Sequence, residues 1–254
     1  MASSTPHLCV ATPCFAGMLT SRYHTSMMAL ATAAAARGVE FSAIYTSGDS
    51  LITRARNRLV NRFLENPSWS HLMFIDADIG FTPDQVFRLL DSGHSVVGGT
   101  YPLKNIFWDR IAPDTLSPAM RQACSLEYVG GAGNTPFEDA HGFLSVDYVG
   151  TGFLLIARST LEHLCARFPD TRYFTDDAAD KNFFQRGGPN TPKYALFDTR
   201  IDQKTGRYLS EDYAFCDLCQ KAGEQVWADL RSRLDHVGFS TFSGDTAAKL
   251  GHMD

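Results

Sequence analysis

The first hundred residues alternate between short apolar runs and longer segments in which apolar positions recur every three or four residues. The short runs indicate buried strands, and the longer segments indicate amphipathic helices. We predict strands over 8–12, 40–46, 72–75 and 95–100 and helices over 20–37, 51–64 and 82–92. Strict alternation of strand and helix is typical of a largely parallel sheet with helices on both faces, which predicts an α/β fold.

Helix ends are marked by capping residues at three places. Gly38 follows the first predicted helix, where a C-terminal glycine is common. Ser50 is placed to cap the second helix. Thr82, Pro83 and Gln85 have the spacing of a capping box with proline at the first helical position, which predicts the start of the third helix.

The second half of the chain is less regular. We predict helices over 159–168, capped by Ser159, and over 210–222, with strands over 144–149, 153–157, 194–198, 225–228 and 234–237. Residues 107–134 show no clear period. The polar segment 169–208 is long for a connection, and such segments are usually functional lids, partly disordered, or both. We expect this one to close over a bound substrate.

Composition limits the class of protein. The chain has 254 residues, enough for one large domain, and its net charge of −5 argues against general nucleic-acid binding. No apolar stretch reaches the ~18 residues of a membrane helix, and the start lacks the basic and apolar regions of a signal peptide. We therefore expect a cytoplasmic protein without a membrane span.

The six cysteines do not form a strong metal or disulfide pattern. Disulfides are not expected without a secretion signal. Cys216 and Cys219 have CxxC spacing, but they fall inside a predicted helix, and Cys9 and Cys14 make a poor second pair. Structural zinc is therefore not the favoured interpretation.

A pair of carboxylates, Asp76 and Asp78, directly follows the apolar run 72–75. Strand side chains two residues apart share a face, so we expect the pair to lie side by side at the carboxyl edge, where open α/β sheets bind ligands. A solvated turn is the ordinary alternative. The helix cap that follows indicates a tight βα connection. Two neighbouring carboxylates repel each other, and a hard divalent cation bound between them would offset that repulsion. We interpret the pair as a site for Mg²⁺ or Mn²⁺ with a nucleotide diphosphate.

An acidic pair and a histidine near the end of the chain are further candidates. Glu211 and Asp212 begin a predicted helix, where acids suit the helix dipole and Ser210 is a good cap. A carboxylate there is equally suited to accept a proton from an attacking hydroxyl. His236 ends the last predicted strand; a lone histidine is more often structural, although imidazole can complete a Mn²⁺ site.

Basic and glycine residues complete the set. Arg54, Arg58 and Arg62 recur every four residues on one helix face, and we expect Arg58 and Arg62 to be solvated. Arg54 lies in the first turn, where a cation opposes the helix dipole, so an anion such as a diphosphate would explain it. The Gly150–Gly152 segment permits either a tight strand connection or close approach of backbone to a ligand.

Taken together, these motifs resemble a GT-A-type nucleotide-sugar glycosyltransferase, most of all the small bacterial and viral members near family 2. No single motif is specific, but their order spans most of the chain. The matching segments are 11–13, 50–57, 74–78, 149–153, 210–212 and 236–238. The resemblance implies a Rossmann-like three-layer α/β/α sandwich with a mixed, mostly parallel sheet. It also implies a single domain over 1–254, with a nucleotide-binding half over about 7–104, an acceptor-binding half over about 105–240 and a tail over 241–254.

The resemblance also implies roles for individual residues. Asp76, Asp78 and His236 would hold Mn²⁺ or Mg²⁺, with Asp78 the firmer ligand. The acidic pair would supply the catalytic base, usually its second member, Asp212, with Glu211 beside it. Residues implied to contact the nucleotide sugar are Thr12, Pro13, Asp49, Arg54, Asn57, Asp76, Gly150, Thr151 and Gly152.

The implied activity is metal-dependent transfer of a sugar, from a UDP-sugar by default, to a hydroxyl by direct displacement. The acceptor, whether a glycan, a lipid carrier, a protein or a modified base, stays open, as do donor sugar, stereochemistry and oligomeric state. Two departures are evident. Ser47-Gly48-Asp49-Ser50 stands where family 2 commonly has Asp-Asp-Gly-Ser. The Gln-x-x-Arg-Trp motif of processive synthases is missing, so processive synthesis is not expected.

Two other classes of protein remain open. A nucleotidyltransferase also uses an α/β sheet, carboxylates and Mg²⁺, but the residues after the first strand match its glycine- and lysine-containing loop poorly. A non-catalytic nucleotide-sugar binding module would not need Glu211 and Asp212. The chain has neither a Gly-x-Gly-x-x-Gly motif after the first strand nor a Walker lysine loop, so dinucleotide and P-loop sites are not supported.

Overall fold

The computed structural model describes residues 5–107, 115–130, 137–175 and 191–239. The helices are α1 (Ser21–Arg37), α2 (Ile52–Leu64), α3 (Pro83–Asp91), α4 (Pro118–Cys124), α5 (Arg158–Arg167) and α6 (Glu211–Lys221). The strands are β1 (His7–Cys14), β2 (Glu40–Ser47), β3 (His71–Ile75), β4 (Ile79–Gly80), β5 (Val96–Gly99), β6 (Pro102–Ile106), β7 (Leu126–Tyr128), β8 (Phe143–Val146), β9 (Phe153–Ala157), β10 (Arg172–Tyr173), β11 (Lys193–Tyr194), β12 (Arg200–Ile201), β13 (Tyr208–Leu209), β14 (Val226–Asp229) and β15 (Asp235–His236).

A seven-stranded sheet with the order β2-β1-β3-β9-β5-β14-β8 forms the centre of the molecule. Five strands run in one direction, and β9 and β8 run in the other. Helices cover both faces, so the predicted fold class is confirmed: a Rossmann-like three-layer α/β/α sandwich with a mixed, mostly parallel sheet. Strands from early and late in the chain interleave in this sheet, and the division into a nucleotide-binding and an acceptor-binding half stays a prediction.

Successive residues of the central strands enter two different cores. Along β1, Leu8 and Val10 belong to the core beneath α1 and α3, whereas Cys9 and Ala11 belong to the core beneath α2, α5 and α6. Because both faces are covered, β1 carries apolar side chains at successive positions from Leu8 to Ala11 instead of alternating with polar residues.

The predicted helix caps are partly confirmed. Gly38 adopts a left-handed conformation with φ of 72° after α1, and Thr82 and Gln85 form the capping box of α3. Ser50 does not cap α2: the helix begins at Ile52, and Asp49 Oδ1 accepts the Leu51 N–H at 3.0 Å. The longer reach of the Asp49 carboxylate explains the difference, since an aspartate bonds the backbone two residues on.

Helix α5 also begins differently from the prediction. It starts at Arg158 and has no side-chain cap, so Ser159 lies inside the helix. The Arg158 N–H donates to the carbonyl of Ser70, just before β3, at 2.9 Å. A backbone acceptor from the neighbouring strand therefore replaces the expected hydroxyl.

Several strand ends differ from their predicted positions. Strand β1 continues through Pro13 to Cys14, because pairing with β3 ends at Ala11 and the last residues pair with β2 alone. A proline, which lacks an N–H, is tolerated where a strand has only one neighbour. The predicted strands over 144–149 and 194–198 are shorter, at Phe143–Val146 and Lys193–Tyr194. The last, β15, pairs with β4 outside the main sheet.

The polar segment 169–208 is not a lid throughout. Leu196 and Phe197 are fully buried, and the Phe197 ring stacks on Phe215 with centroids 4.2 Å apart. Asn61 from α2 bonds the backbone of Tyr194 with both ends of its amide. The prediction of a closing segment is therefore wrong for 193–197, which the sequence supplies with core residues. Residues 176–190 lie outside the described ranges.

Residues 102–128, which include the described first part of the segment 107–134 without a clear period, form a small unit outside the main sheet in their described part. Strands β6 and β7 pair antiparallel, and α4 packs next to β7. Within the ranges given above, none of the helices combines the length and apolar character required to cross a membrane. The predicted C-terminal tail over 241–254 lies outside the described residues.

Candidate functional site

The chain turns immediately after β3. The Ile79 N–H donates to the Asp76 carbonyl at 3.0 Å, so residues 76–79 form a turn and not an extension of the strand. The Asp76 N–H donates to the carbonyl of Gly152, and the Thr20 N–H donates to the carbonyl of Ala77. Strand alternation therefore does not relate Asp76 to Asp78, and the extended-strand geometry expected for the pair is wrong. The two carboxylates meet different partners.

The Asp76 carboxylate binds Arg56, a fully buried residue of α2. Arg56 Nη2 donates to Asp76 Oδ2 at 3.0 Å, and Arg56 Nε donates to Glu211 Oε1 at 3.4 Å. The guanidinium also lies 5.3 Å from the centre of the Phe74 ring. Burial alone would lower the pKa of Arg56, but the carboxylates of Asp76 and then Glu211 raise it above its ordinary value. One cation thus joins the turn after β3 to the start of α6.

The Asp78 carboxylate faces the unit formed by β6, α4 and β7. Lys104 of β6 donates to Asp78 Oδ2, and His236 Nε2 lies 3.7 Å from Asp78 Oδ1. His236 Nδ1 lies 2.8 Å from the Pro102 carbonyl. A carbonyl only accepts, so Nδ1 carries the proton and the lone pair of a neutral imidazole is on Nε2, towards Asp78. Pairing of β15 with β4 and the bond from Val237 N–H to the Asp78 carbonyl hold this arrangement.

Asp78 and His236 fit a divalent cation as ligands. A carboxylate oxygen and an imidazole nitrogen suit Mn²⁺, and a backbone carbonyl behind the imidazole is the usual support for a metal-binding histidine. Two atoms each about 2.1 Å from one ion can lie as far apart as Nε2 and Oδ1 do. Asp76 is not with them: among the described residues, no three His, Cys, Asp or Glu side chains cluster to hold a metal. The structure brings together two of the three predicted ligands.

The acidic pair at the start of α6 divides into two environments. Glu211 faces Arg56, as described. Asp212 Oδ1 accepts hydrogen bonds from the Ser210 hydroxyl and from the Tyr213 N–H, the latter at 2.8 Å. Its Oδ2 accepts no bond from a described residue, which leaves it available for a proton. The Ser210 hydroxyl does not cap the helix backbone but orients Asp212.

The Gly150–Gly152 segment is fixed by a tyrosine. The Gly152 N–H donates to Tyr101 Oη at 3.1 Å, and Thr151 is buried. A Cβ at Gly150 or Gly152 would lie 2.5 or 2.7 Å from the Tyr101 side chain. Burial and the charge of Asp76 raise the pKa of Tyr101 well above its usual range, so the phenol stays neutral. The glycines are required here by the tyrosine.

Asp49 supplies the anion that Arg54 meets. Its carboxylate accepts from Arg54 Nε at 2.9 Å and from Arg58 Nη1 at 3.1 Å. Burial alone would raise the pKa of Asp49, but the hydrogen bonds from Arg54 and the Leu51 N–H lower it below its ordinary value. Arg62 likewise binds Glu65 at 3.2 Å. The expected solvated face of Arg58 and Arg62 is therefore wrong, because carboxylates flank both side chains.

The other residues expected near the nucleotide are engaged by the protein. Thr12 is fully buried, with its hydroxyl 2.6 Å from the Tyr23 hydroxyl. Pro13 is half-buried at the end of β1. Asn57 Oδ1 accepts the Phe197 N–H at 2.8 Å. Their contact with a nucleotide stays a prediction.

Three residues of this site were not singled out from the sequence. Arg56 lies between the buried positions Ala55 and Asn57, and a charged residue on the buried face of a helix is a usable signal. Tyr101 and Lys104 give no local signal. Lys104 becomes recognisable only with Gly238, where a Cβ would lie 2.6 Å from the Lys104 side chain.

Cys216 and Cys219 lie buried in α6. Burial raises the pKa of Cys216 to about 12 and that of Cys219 well above its usual value. The thiolate form that zinc requires is therefore disfavoured, and Cys216 Sγ points to the carbonyl of Val149.

A cleft of about 1250 Å³ opens beside the Asp78 end of the site. Lys104 and His236 border it on one side. Its remaining walls combine polar residues with exposed apolar side chains, including Leu103, Ile106, Met120 and Phe239. The cleft is large enough for a sugar-sized molecule and its neighbour.

No protein-family model matches the chain, and a search of curated protein sequences gave no relative. Solved structures give weak likenesses. The protein A197 from STIV is 16% identical, with a TM-score of 0.49 over 92% of this chain and 86% of that one. Drosophila β1,4-galactosyltransferase 7, in complex with manganese, UDP-Gal and xylobiose, is 10% identical, with a TM-score of 0.39 over 97% and 79%. The 4-diphosphocytidyl-2C-methyl-D-erythritol synthase of Anaerococcus prevotii is 8% identical, with a TM-score of 0.36 over 71% and 83%.

Proposed function

We propose that the protein is a glycosyltransferase that moves a sugar from a nucleotide-diphosphate sugar, by default a UDP-sugar, to a hydroxyl acceptor. The observation that carries the proposal is the convergence on Arg56. This residue joins Asp76, in the turn after β3, to Glu211, which precedes Asp212 on α6. Carboxylates with different tasks thereby meet at the carboxyl edge of the sheet, where such folds bind ligands.

The donor diphosphate would bind beside Asp78 and His236, which would hold Mn²⁺ or Mg²⁺. When bound, the metal supplies Lewis-acid stabilisation of charge on the leaving diphosphate. Arg56 keeps Asp76 and Glu211 in place. One further donor, Arg56 Nη1, is buried and bonds to no described residue, and buried donors normally have a partner.

Asp212 is the proposed base. Its Oδ1 is saturated by Ser210 and Tyr213, so Oδ2 would take the proton of the acceptor hydroxyl. The acceptor oxygen then bonds to the sugar carbon as the bond from that carbon to the diphosphate oxygen breaks, and the diphosphate leaves with the electron pair. The acceptor would reach this point through the cleft bordered by Lys104 and His236.

The first test is a thermal-shift screen of UDP, GDP, CDP and ADP and their sugar conjugates, with and without Mn²⁺. A ligand that binds the native state raises its stability with the logarithm of ligand concentration. We expect a Mn²⁺-dependent shift with one diphosphate and its loss in Asp78→Asn. Absence of any shift would contradict the metal–diphosphate site.

The second test is product analysis with the selected donor and a panel of hydroxyl acceptors. We expect nucleoside diphosphate and a glycosylated product, with about 10²–10⁴-fold slower transfer in Asp212→Asn, the usual range for loss of a general base. Asp217→Asn is the matched control, because Asp217 lies on the same helix and pairs with Lys221 and Arg200. It should leave transfer unchanged.

The other outcomes identify the competing classes. Release of pyrophosphate would indicate a nucleotidyltransferase. If the unmodified protein binds the donor without turnover, and with the same affinity as Asp212→Asn, the protein would be a binding module. Full transfer by a folded Asp212→Asn variant would show that the base lies elsewhere.

A further inference from the structure

The cation position at Asp78 is already filled by a side chain of the protein. The Lys104 ammonium bonds to Asp78 Oδ2, on the same carboxylate whose Oδ1 faces His236 Nε2. A divalent ion bound by Asp78 and His236 would lie next to this ammonium. Like charges at such a distance repel, so the ion and Lys104 compete for one carboxylate.

Lys104 is held in this position by the same frame that holds His236. Pro102 and Lys104 both belong to β6, and the Pro102 carbonyl accepts from His236 Nδ1. The aliphatic part of Lys104 lies over Gly238, where the absence of a side chain gives it room. The ammonium is therefore directed at Asp78 by packing as well as by charge.

The contact between Lys104 and Asp78 is exchangeable. Lys104 and Asp78 are 37% and 32% exposed, whereas in the other pair Arg56 is 3% and Asp76 27% exposed, so the two pairs differ mainly in the burial of the cation. Exposed ion pairs contribute little net free energy, since water solvates both partners when they separate. A bound diphosphate would give the released ammonium a new anionic partner.

We propose that Lys104 is a built-in competitor for the metal: it occupies Asp78 in the free protein and yields that carboxylate when metal and diphosphate bind together. The inference rests on the metal site of the proposed function. It adds that metal alone binds weakly and that a nucleoside diphosphate strengthens metal binding partly by taking over Lys104. Binding linkage is reciprocal, so metal strengthens diphosphate binding by the same factor.

The test is a Mn²⁺ titration of the purified full chain, followed by the electron paramagnetic resonance of free Mn²⁺, with and without UDP. We expect Lys104→Met to bind Mn²⁺ alone at least about tenfold more tightly than the unmodified protein, and to show a smaller gain from UDP. Lys104→Arg should stay near the unmodified protein, because it keeps the cation. Lys104→Gln serves if the methionine variant does not fold.

Lys221→Met is the matched control, because Lys221 forms an exposed ion pair with Asp217 at 2.7 Å, away from this site. It should leave Mn²⁺ affinity unchanged. Equal or weaker Mn²⁺ binding by Lys104→Met, while Asp78→Asn still abolishes it, would overturn the competition and leave the proposed function standing. Mn²⁺ binding that survives Asp78→Asn in the Lys104→Met background would overturn the competition and place the metal elsewhere. Sugar transfer is measured separately by product analysis, so failure of the proposed function can be distinguished from failure of the proposed competition between Lys104 and the metal.

Discussion

The two carboxylates that follow β3 are equivalent in the sequence and different in the structure. Asp76 meets a buried guanidinium that it shares with Glu211, whereas Asp78 meets an exposed ammonium and an imidazole beside an open cleft. The first arrangement is the more firmly held, because loss of Asp76 would leave the buried Arg56 guanidinium with less compensating charge. The second is free to change partners. We therefore expect the Asp76 side of the site to stabilise the fold and the Asp78 side to take part in the proposed ligand binding.

The largest expected contrast is between the two cations. Arg56→Met should lower the free energy of unfolding by about 3–5 kcal/mol, since two carboxylates lose their buried partner. Lys104→Met should change it by less than about 1 kcal/mol, as for an exposed ion pair. Urea denaturation of both variants measures the contrast. Similar losses would remove the distinction between a fixed and an exchangeable end.

Asparagine substitutions of the two carboxylates should separate stability from ligand binding. Asp76→Asn should lower the free energy of unfolding by about 1.5–3 kcal/mol, because a hydrogen bond to a buried charged group is weakened. Asp78→Asn should leave that free energy nearly unchanged but remove the Mn²⁺-dependent shift with the selected diphosphate. Differential scanning fluorimetry with and without ligand reads both effects. The comparison fails if Asp76→Asn alone loses the ligand shift.

Two glycines test the rigidity of each end. Gly152→Ala places a methyl group 2.7 Å from the buried Tyr101 ring, and overpacking of this kind should cost about 1–3 kcal/mol. Gly238→Ala places one 2.6 Å from the flexible Lys104 side chain and should cost less than about 1 kcal/mol, because that side chain can move. Thermal unfolding ranks the two variants. The reverse order would show that Lys104 is as firmly held as Tyr101.

The smallest expected effect concerns Asp49, whose carboxylate is buried while its partner Arg54 is half-exposed. The pKa of Asp49 is lowered in the folded protein, so its contribution to stability is present above its ordinary pKa of 3.8 and is lost as the pH falls below that value. Unfolding free energies of the unmodified protein and Asp49→Asn should therefore converge on acidification from roughly pH 5 towards pH 2. A constant difference over that range would contradict the lowered pKa.

The strand and helix pattern was predictable because burial on both faces leaves an unbroken apolar run in β1 and β3. The capping residues of α1 and α3 also predicted the helix boundaries correctly, because a cap is a signal carried by neighbouring residues in the sequence. Boundaries failed where a partner distant in sequence decides them. Ser70 provides the acceptor at the start of α5, and α2 and α6 draw residues 193–197 into the core.

The site followed the same division. The acidic motifs were recognised as candidates, but which carboxylate meets which cation depends on contacts across the fold. Arg56 was overlooked because the four-residue spacing of Arg54, Arg58 and Arg62 marks a different face of the same helix. Arg54 was matched to an anion by its place in the first turn, and the structure supplies that anion as Asp49. Lys104 and Tyr101 depend on β6 and the residues before it lying beside β15, which no local pattern specifies.

The position of β9 has a consequence for synthesis of the chain on the ribosome. β9 lies between β3 and β5 in the sheet, yet it begins at Phe153, well after β5 ends at Gly99. Until it emerges, β3 and β5 each present an unpaired, fully apolar edge, the kind of surface that recruits other chains. The nascent N-terminal half thus contains a β5 that nothing yet joins to the sheet, since its other neighbour, β14, begins only at Val226. Its folding without aggregation depends on how soon the ribosome delivers the strand that connects β3 to β5.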